Sequence, residues 1–200
     1  MNHFKSAPYT TFLSFWTREM IYFDDCDQKV ALVGNFGIGG QAAAHMLEIL
    51  IAAGTSQFIV VGHAGGLHTA NSVGNLVLTD KAVRDEGLSH HYLPSDQYAY
   101  PSKKLSDKLK SSLAKQGIVH HIGSSWTLDS MYRETKEAIQ YYANEGVATV
   151  EMELASLFAV AAYRDVAIAS LLVINDYVTF EQWNEHLHAE STGKSTFPIR

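Results

Sequence analysis

Residues 147–177 read VATVEMELASLFAVAAYRDVAIASLLVINDY, and the fold turns on how this stretch is parsed. Ala148–Val150 is a short apolar run ending in Glu151-Met152-Glu153, after which Leu154, Leu157, Phe158 and Ala161 recur at helical spacing and define one buried helix face. Val166–Ile174 is almost wholly apolar and rich in β-branched residues, as expected of a parallel strand covered on both faces. It stops at Asn175-Asp176. The reading is strand, helix, strand, with acidic residues at the carboxyl ends of both strands. In open parallel sheets that edge is where ligands sit.

The remaining composition bounds what this unit belongs to. The chain has 200 residues, 46% of them hydrophobic, with 14 glycines and four prolines, which predicts a single domain able to bury a sizeable core. A formal charge of -6 with no basic cluster argues against a nucleic-acid partner. Cys26 is the only cysteine, so no intramolecular disulfide can form. No apolar run reaches membrane-spanning length, and residues 1–16 lack the basic start and apolar core of a signal peptide. The expectation is a cytoplasmic protein with no membrane partner.

Working outward, Thr11–Phe23 carries Phe12, Phe15, Trp16, Ile21 and Tyr22 and reads as an edge strand or interface arm within residues 1–29. Val30–Val33 reads as a short buried strand that Gly34–Gly40 turns into a helix from Gln41 to Ala53, with Gly54 as its stop. Phe58–Val61 is the next strand, ending in a second glycine-rich turn, Gly62–Gly66. Asn75–Thr79 and Lys81–Val83 read as antiparallel or bent strands, followed by the loop RDEGLSHHYLP. Ser102–Gln116 is an amphipathic helix, Ile118–Ile122 a strand, GSSWTLDSMYRET a polar loop, and Glu134–Ala143 a helix. The predicted architecture is α/β, three layers α/β/α around a mixed, largely parallel sheet.

The motifs GIGGQAAAHMLEIL, VVGHAGGL, AVRDEGLSHHYLP, WTLDSMYRET, GVATVEMELASLFAVAAY and INDY occur in that order. As a set they resemble the nucleoside phosphorylase family, which includes uridine phosphorylase, bacterial-type purine nucleoside phosphorylases and nucleosidases. The resemblance covers residues 30–177, leaving 178–200 as a short carboxyl-terminal segment with one helix near Thr179–His188. It implies cleavage of the N-glycosidic bond of a ribonucleoside without a cofactor, inorganic phosphate being the co-substrate of a phosphorylase. It also implies a homodimer, with a hexamer as the larger assembly. By the same resemblance Glu153 holds the ribose hydroxyls, Met152 packs on the sugar and Glu151 supports the motif. A carboxylate suits this task because it accepts two hydrogen bonds from a vicinal diol. On the residues alone, acids in a first helical turn serve equally to complement the helix dipole.

Asp176 matches the aspartate that protonates or hydrogen-bonds a departing purine, and is alternatively a turn or helix-capping residue. Asn175 replaces the serine common before it, and Met131 and Tyr132 match the base-stacking region. The glutamine and arginine expected of a pyrimidine enzyme are not recognisable in Arg133-Glu134-Thr135, which favours purine. The phosphate side departs most from the pattern. The amino-terminal phosphate loop has no counterpart, the strand arginine falls on Val60, and the following serine or threonine falls on His63. Remaining donors are the backbone around Gly37 and Gly39, His63, Arg18 as the arginine given across a dimer, and Arg84. The expectation is therefore hydrolysis, with His63 orienting or deprotonating water. Phosphorolysis is the runner-up, and a catalytically silent nucleoside-binding protein the third reading.

Two further readings are weaker. GIGGQA fits a dinucleotide-binding fingerprint, but the second strand ends in Gly62-His63 where an acid is needed. The histidine pairs His90-His91 and His120-His121 are adjacent, so their side chains diverge on a strand and no metal site is predicted.

Overall fold

A computed structural model describes residues 19–26, 28–68, 73–178 and 183–184. Their backbone falls in two compact units that divide between Gly37 and Ile38. The helix proposed near Thr179–His188 lies largely outside the described residues. Its one described piece, Trp183–Asn184, is extended instead.

The first unit contains a two-stranded antiparallel hairpin, β1 (Glu19–Cys26) and β2 (Gln28–Gly34), in register from Glu19 opposite Gly34 to Phe23 opposite Val30. Val30–Val33 is thus a strand, but not the buried one its composition predicts. Val30 is 52% and Leu32 59% exposed. An apolar run records a tendency to be covered; whether a second layer covers it is a tertiary matter.

The second unit is built on α1 (Gly40–Ala52), β3 (Gln57–Gly66), β4 (Leu76–Asp85), β5 (Tyr98–Ala99), α2 (Lys103–Lys115), β6 (His121–Leu128), α3 (Lys136–Asn144), β7 (Thr149–Glu151), α4 (Leu154–Tyr163), β8 (Ala167–Val178) and β9 (Trp183–Asn184). Its sheet runs β5-β4-β6-β7-β3-β8-β9, and β4 also pairs with β8. Strands β4, β6, β7, β3 and β8 therefore close on themselves. The sheet is mixed with flanking helices, as expected. Its long ladders, β3/β8 and β4/β6, are parallel, while the antiparallel pairings β3/β7, β4/β8, β4/β5 and β8/β9 are short. β4 is a single strand, bent by a register shift between Thr79 and Ala82.

Two segments expected to be loops are strand. β6 takes in Gly123–Leu128 and fully buries Trp126, which packs with Val83, Leu128, Ile139 of α3 and Val150. The polar residues that made this segment look like a loop are buried because Ser125 and Thr127 both donate to the Glu151 carboxylate. Likewise β3 continues through Gly62–Gly66 rather than turning. The glycines there serve packing: a Cβ on Gly65 would lie 2.6 Å from Val178 Cγ2 and 3.0 Å from Val150 Cγ1. On the other flank, Leu113 of α2 packs with Leu78 and Leu171. The apolar face predicted for α4 is fully buried from Leu154 to Ala161.

Candidate active site

The site is assembled around the amino ends of α1 and α4. Glu151, the last residue of β7, is 7% exposed and turns its carboxylate back onto α4. Oε2 accepts the main-chain N–H groups of Glu153 and Leu154, each at 2.7 Å, and Oε1 accepts the hydroxyls of Thr127 and Ser125. Burial pushes this carboxyl up to about 7, against the Thr127 hydroxyl and the two N–H groups, which favour the anion. Both oxygens are thus held by the protein. Glu151 accepts the first N–H groups of α4 beside Glu153, which fits its expected part in supporting the motif.

Glu153 occupies the cap position of α4 itself and is half-buried. Its Oε1 accepts the N–H of Gly39 at 2.6 Å and its Oε2 that of Met152 at 3.3 Å. Gly39 caps α1 with φ +92, a conformation that favours glycine, and so aims its N–H at the carboxylate. The positive ends of two helices converge on one anion. A carboxylate has about four lone-pair positions, so acceptor capacity remains for a diol. Beside it, Asp129 accepts from Gln41 Nε2 at 3.3 Å and from the Gly87 N–H at 2.9 Å, joining α1 to the ends of β4 and β6.

Asp176 lies inside β8, not beyond its end as the apolar run predicts, because the strand continues to Val178. A bulge precedes it: Ala64 pairs with Ile174 but Gly65 pairs with Asp176, leaving Asn175 as the extra residue. Bulges re-aim the side chains that follow them. With its amide oriented toward its two acceptors, Asn175 donates to Ala64 O at 3.3 Å and to Asp176 Oδ1 at 2.9 Å. Asparagine in the place of serine thus holds the aspartate. Gly65 pairs with Val150 on one side and with Asp176 on the other. The residue just before Glu151 and the candidate base-side acid therefore flank one strand, two inter-strand spacings or about 9.5 Å apart.

The other candidates are less gathered. Met131 and Tyr132 form an exposed 3-10 turn, Met131–Arg133, and Tyr132 is 86% exposed. His63 is exposed on β3, opposite Val173. Gly37 belongs to the first unit and Gly39 to the second, and Arg18 lies outside the described residues. Arg84 is buried with its guanidinium committed to its own loop. Nε donates to Ser89 Oγ at 2.8 Å, Nη1 to Pro94 O at 2.7 Å and Nη2 to Leu93 O at 3.2 Å. That is a structural anchor rather than an anion contact. The sequence reading passed over Glu134, whose carboxyl burial and the Asp176 charge push up to about 7. Its signal was its place beside the base-stacking motif.

The phosphorylase superfamily model matches residues 4–195. The chain is 29% identical over 180 residues to uridine phosphorylase of Treponema pallidum, covering 84% of this chain and 69% of that one. It is 29% identical over 153 residues to the DeoD-type purine nucleoside phosphorylase of Clostridium perfringens, covering 76% and 65%. Among solved structures, AMP nucleosidase from Bacteroides thetaiotaomicron superposes with a TM-score of 0.68 at 28% identity, over 78% of this chain and 67% of that one. The chain spans 58% to 69% of the length of the first four curated relatives it matches.

Proposed function

Because the chain belongs to the phosphorylase superfamily, we propose that it cleaves the N-glycosidic bond of a purine ribonucleoside, with water as the attacking group. The observation that carries this is the Glu153 carboxylate held where the amino ends of α1 and α4 meet, its Oε1 accepting the Gly39 N–H at 2.6 Å. Glu153 accepts the ribose hydroxyls and, as an anion at two helix ends, favours the positive charge that develops on the sugar. As C1′–N9 breaks, its electron pair moves into the base, and Asp176 supplies the proton that lets the base leave neutral. Water then adds to C1′, His63 takes its proton, and free base and ribose result.

Hydrolysis is supported by the cation inventory. Phosphate carries about two negative charges at neutral pH and needs several strong donors. Val60 offers none, and Arg84 is engaged elsewhere. Superfamily neighbours include a nucleosidase by name. Phosphorolysis is the second reading, favoured by the phosphorylase names of the sequence relatives. Incubating purine and pyrimidine nucleosides with and without phosphate, and identifying the sugar, separates them. Phosphate-independent release of ribose is expected. Ribose 1-phosphate formed only with phosphate would overturn the hydrolase, and no release with binding intact would mark a silent binding protein. The proposal includes a cytoplasmic homodimer, with a hexamer as the larger form. Its suggested interface residues, Phe12, Phe15 and Trp16, lie outside the described residues.

A further inference from the structure

The first turn of α1 rests on α4 at one tight point. Gly40, the first residue of α1, is buried, and a Cβ built on it would stand 2.2 Å from Ser156 Oγ and 2.9 Å from Ser156 Cβ. Side chains do not pack so closely, so α1 could carry one here only by moving off α4 by about 1 Å. The hydroxyl opposite Gly40 is not free to swing aside. Ser156 is fully buried, and its Oγ donates to Glu86 Oε2 at 2.9 Å. Glu86 is fixed in turn, because Oε2 also accepts the N–H of Leu88 at 2.6 Å and that of Ser89 at 3.0 Å. A buried serine held by a buried carboxylate is thus the floor on which α1 begins. One turn back along α4 stands Glu153, whose Oε1 accepts the Gly39 N–H at 2.6 Å. Gly39 and Gly40 therefore meet Glu153 and Ser156 side by side, and a parting of about 1 Å that frees the second contact also breaks the first.

We propose that Gly40 and Ser156 are positioning residues for the sugar-side acid: their contact sets the spacing of α1 and α4, which keeps the Gly39 N–H on Glu153 and its carboxylate oriented for the ribose hydroxyls. The inference rests on the reading of Glu153 as the ribose acceptor. Both residues act through Glu153. With the Gly39 bond in place, one carboxylate oxygen is fixed and the lone pairs that remain are presented in a single orientation. Without that bond the carboxylate turns about its own side chain, and a diol has to order it on binding. A free base, which lacks the diol, does not meet that cost.

The test compares the intact wild-type chain with Gly40→Ala, the double variant Gly40→Ala/Ser156→Gly, and Glu153→Ala, circular dichroism checking that each is folded. Two quantities are read: the amide proton resonance of Gly39 without ligand, which a short bond to a carboxylate moves downfield, and the dissociation constants of adenosine and adenine. In Gly40→Ala the Gly39 resonance should move upfield, and adenosine should bind about tenfold more weakly while adenine stays within about twofold. The double variant should recover both, because removing the Ser156 side chain clears the space the new methyl needs, and Glu86 keeps the N–H groups of Leu88 and Ser89. A general loosening of the fold would weaken adenosine and adenine alike. A folded Gly40→Ala with the Gly39 resonance or the adenosine-to-adenine ratio unchanged would overturn this inference alone. If Gly40→Ala does not fold, the double variant decides: a wild-type resonance and ratio there support the spacing, and loss of either overturns it. Adenosine bound equally well by Glu153→Ala would overturn the reading of Glu153 and this inference with it.

Discussion

The main-chain N–H of Gly39 donates to Oε1 of Glu153 across 2.6 Å, so the first turn of α1 and the first turn of α4 meet on one carboxylate. A side chain held in this way is already oriented for a ligand. The first expected consequence is a split between sugar and base. Glu153→Ala should weaken purine ribosides by about 2–3 kcal/mol, the loss expected of a partly buried charged acceptor, and leave free bases nearly unaffected. Calorimetric titration of a nucleoside and its base makes the comparison. Equal losses would place the sugar elsewhere.

Asp176→Asn keeps the shape and most of the hydrogen bonding next to Asn175 but removes the proton donor. Purine release should fall by about 10²–10⁴-fold with little change in riboside affinity. Single-turnover kinetics separates the two effects. Retained turnover would mean that the base leaves without this acid.

Gly65→Ala places a methyl 2.6 Å from Val178 Cγ2 and 3.0 Å from Val150 Cγ1, on the strand between β7 and β8. Overpacking of this kind should cost about 1–3 kcal/mol of stability. It should also weaken nucleoside binding, because β7 and β8 must spread. Chemical denaturation reads the first effect and titration the second. An unchanged midpoint would show that the strands yield freely.

Arg84→Lys tests whether this arginine is an anchor. A lysine cannot span Ser89 Oγ, Pro94 O and Leu93 O at once, so stability should drop by on the order of 2–4 kcal/mol. Hydrogen exchange should quicken over residues 88–94. Weak phosphate binding, if measurable, should not change, and a selective loss of it would return Arg84 to the anion site.

Glu151 gives the protein a pH dependence of stability. Its folded carboxyl sits at about 7, above the ordinary value of 4.5, so the folded state holds a proton that the unfolded state gives up. That contribution is complete below about pH 4.5 and is lost as pH rises through about 7, on the order of 3 kcal/mol in all. Glu151→Gln should flatten much of this decline in denaturant midpoints measured across that window. Glu134, also raised to about 7, adds to the slope in the same direction.

The residues alone determined those features whose information is local. Leu154, Leu157, Phe158 and Ala161 declared the buried face of α4, the apolar run after Asp165 declared β8, and Ser102–Gln116 declared α2 to within a residue at each end. Period and capping chemistry act over three or four positions, and nothing distant contradicts them here. The proposed roles of Glu153 toward a ribose and of Asp176 toward a base come from motif order, and the structure adds that Val150 and Asp176 flank Gly65 of β3. Tertiary structure alone decided the rest. Gly62–Gly66 looks like a turn until Val150 and Val178 press on Gly65 from two neighbouring strands. Ser124, Ser125 and Thr127 look like a loop until Glu151, more than twenty residues later, accepts the last two hydroxyls. Arg84 looks like a free cation until the carbonyls of Leu93 and Pro94 fold back onto it, and Glu134 looks like surface until Asp176 is brought near. In each case the residue type records which partners it can satisfy, and chain closure between distant segments decides which partner it meets.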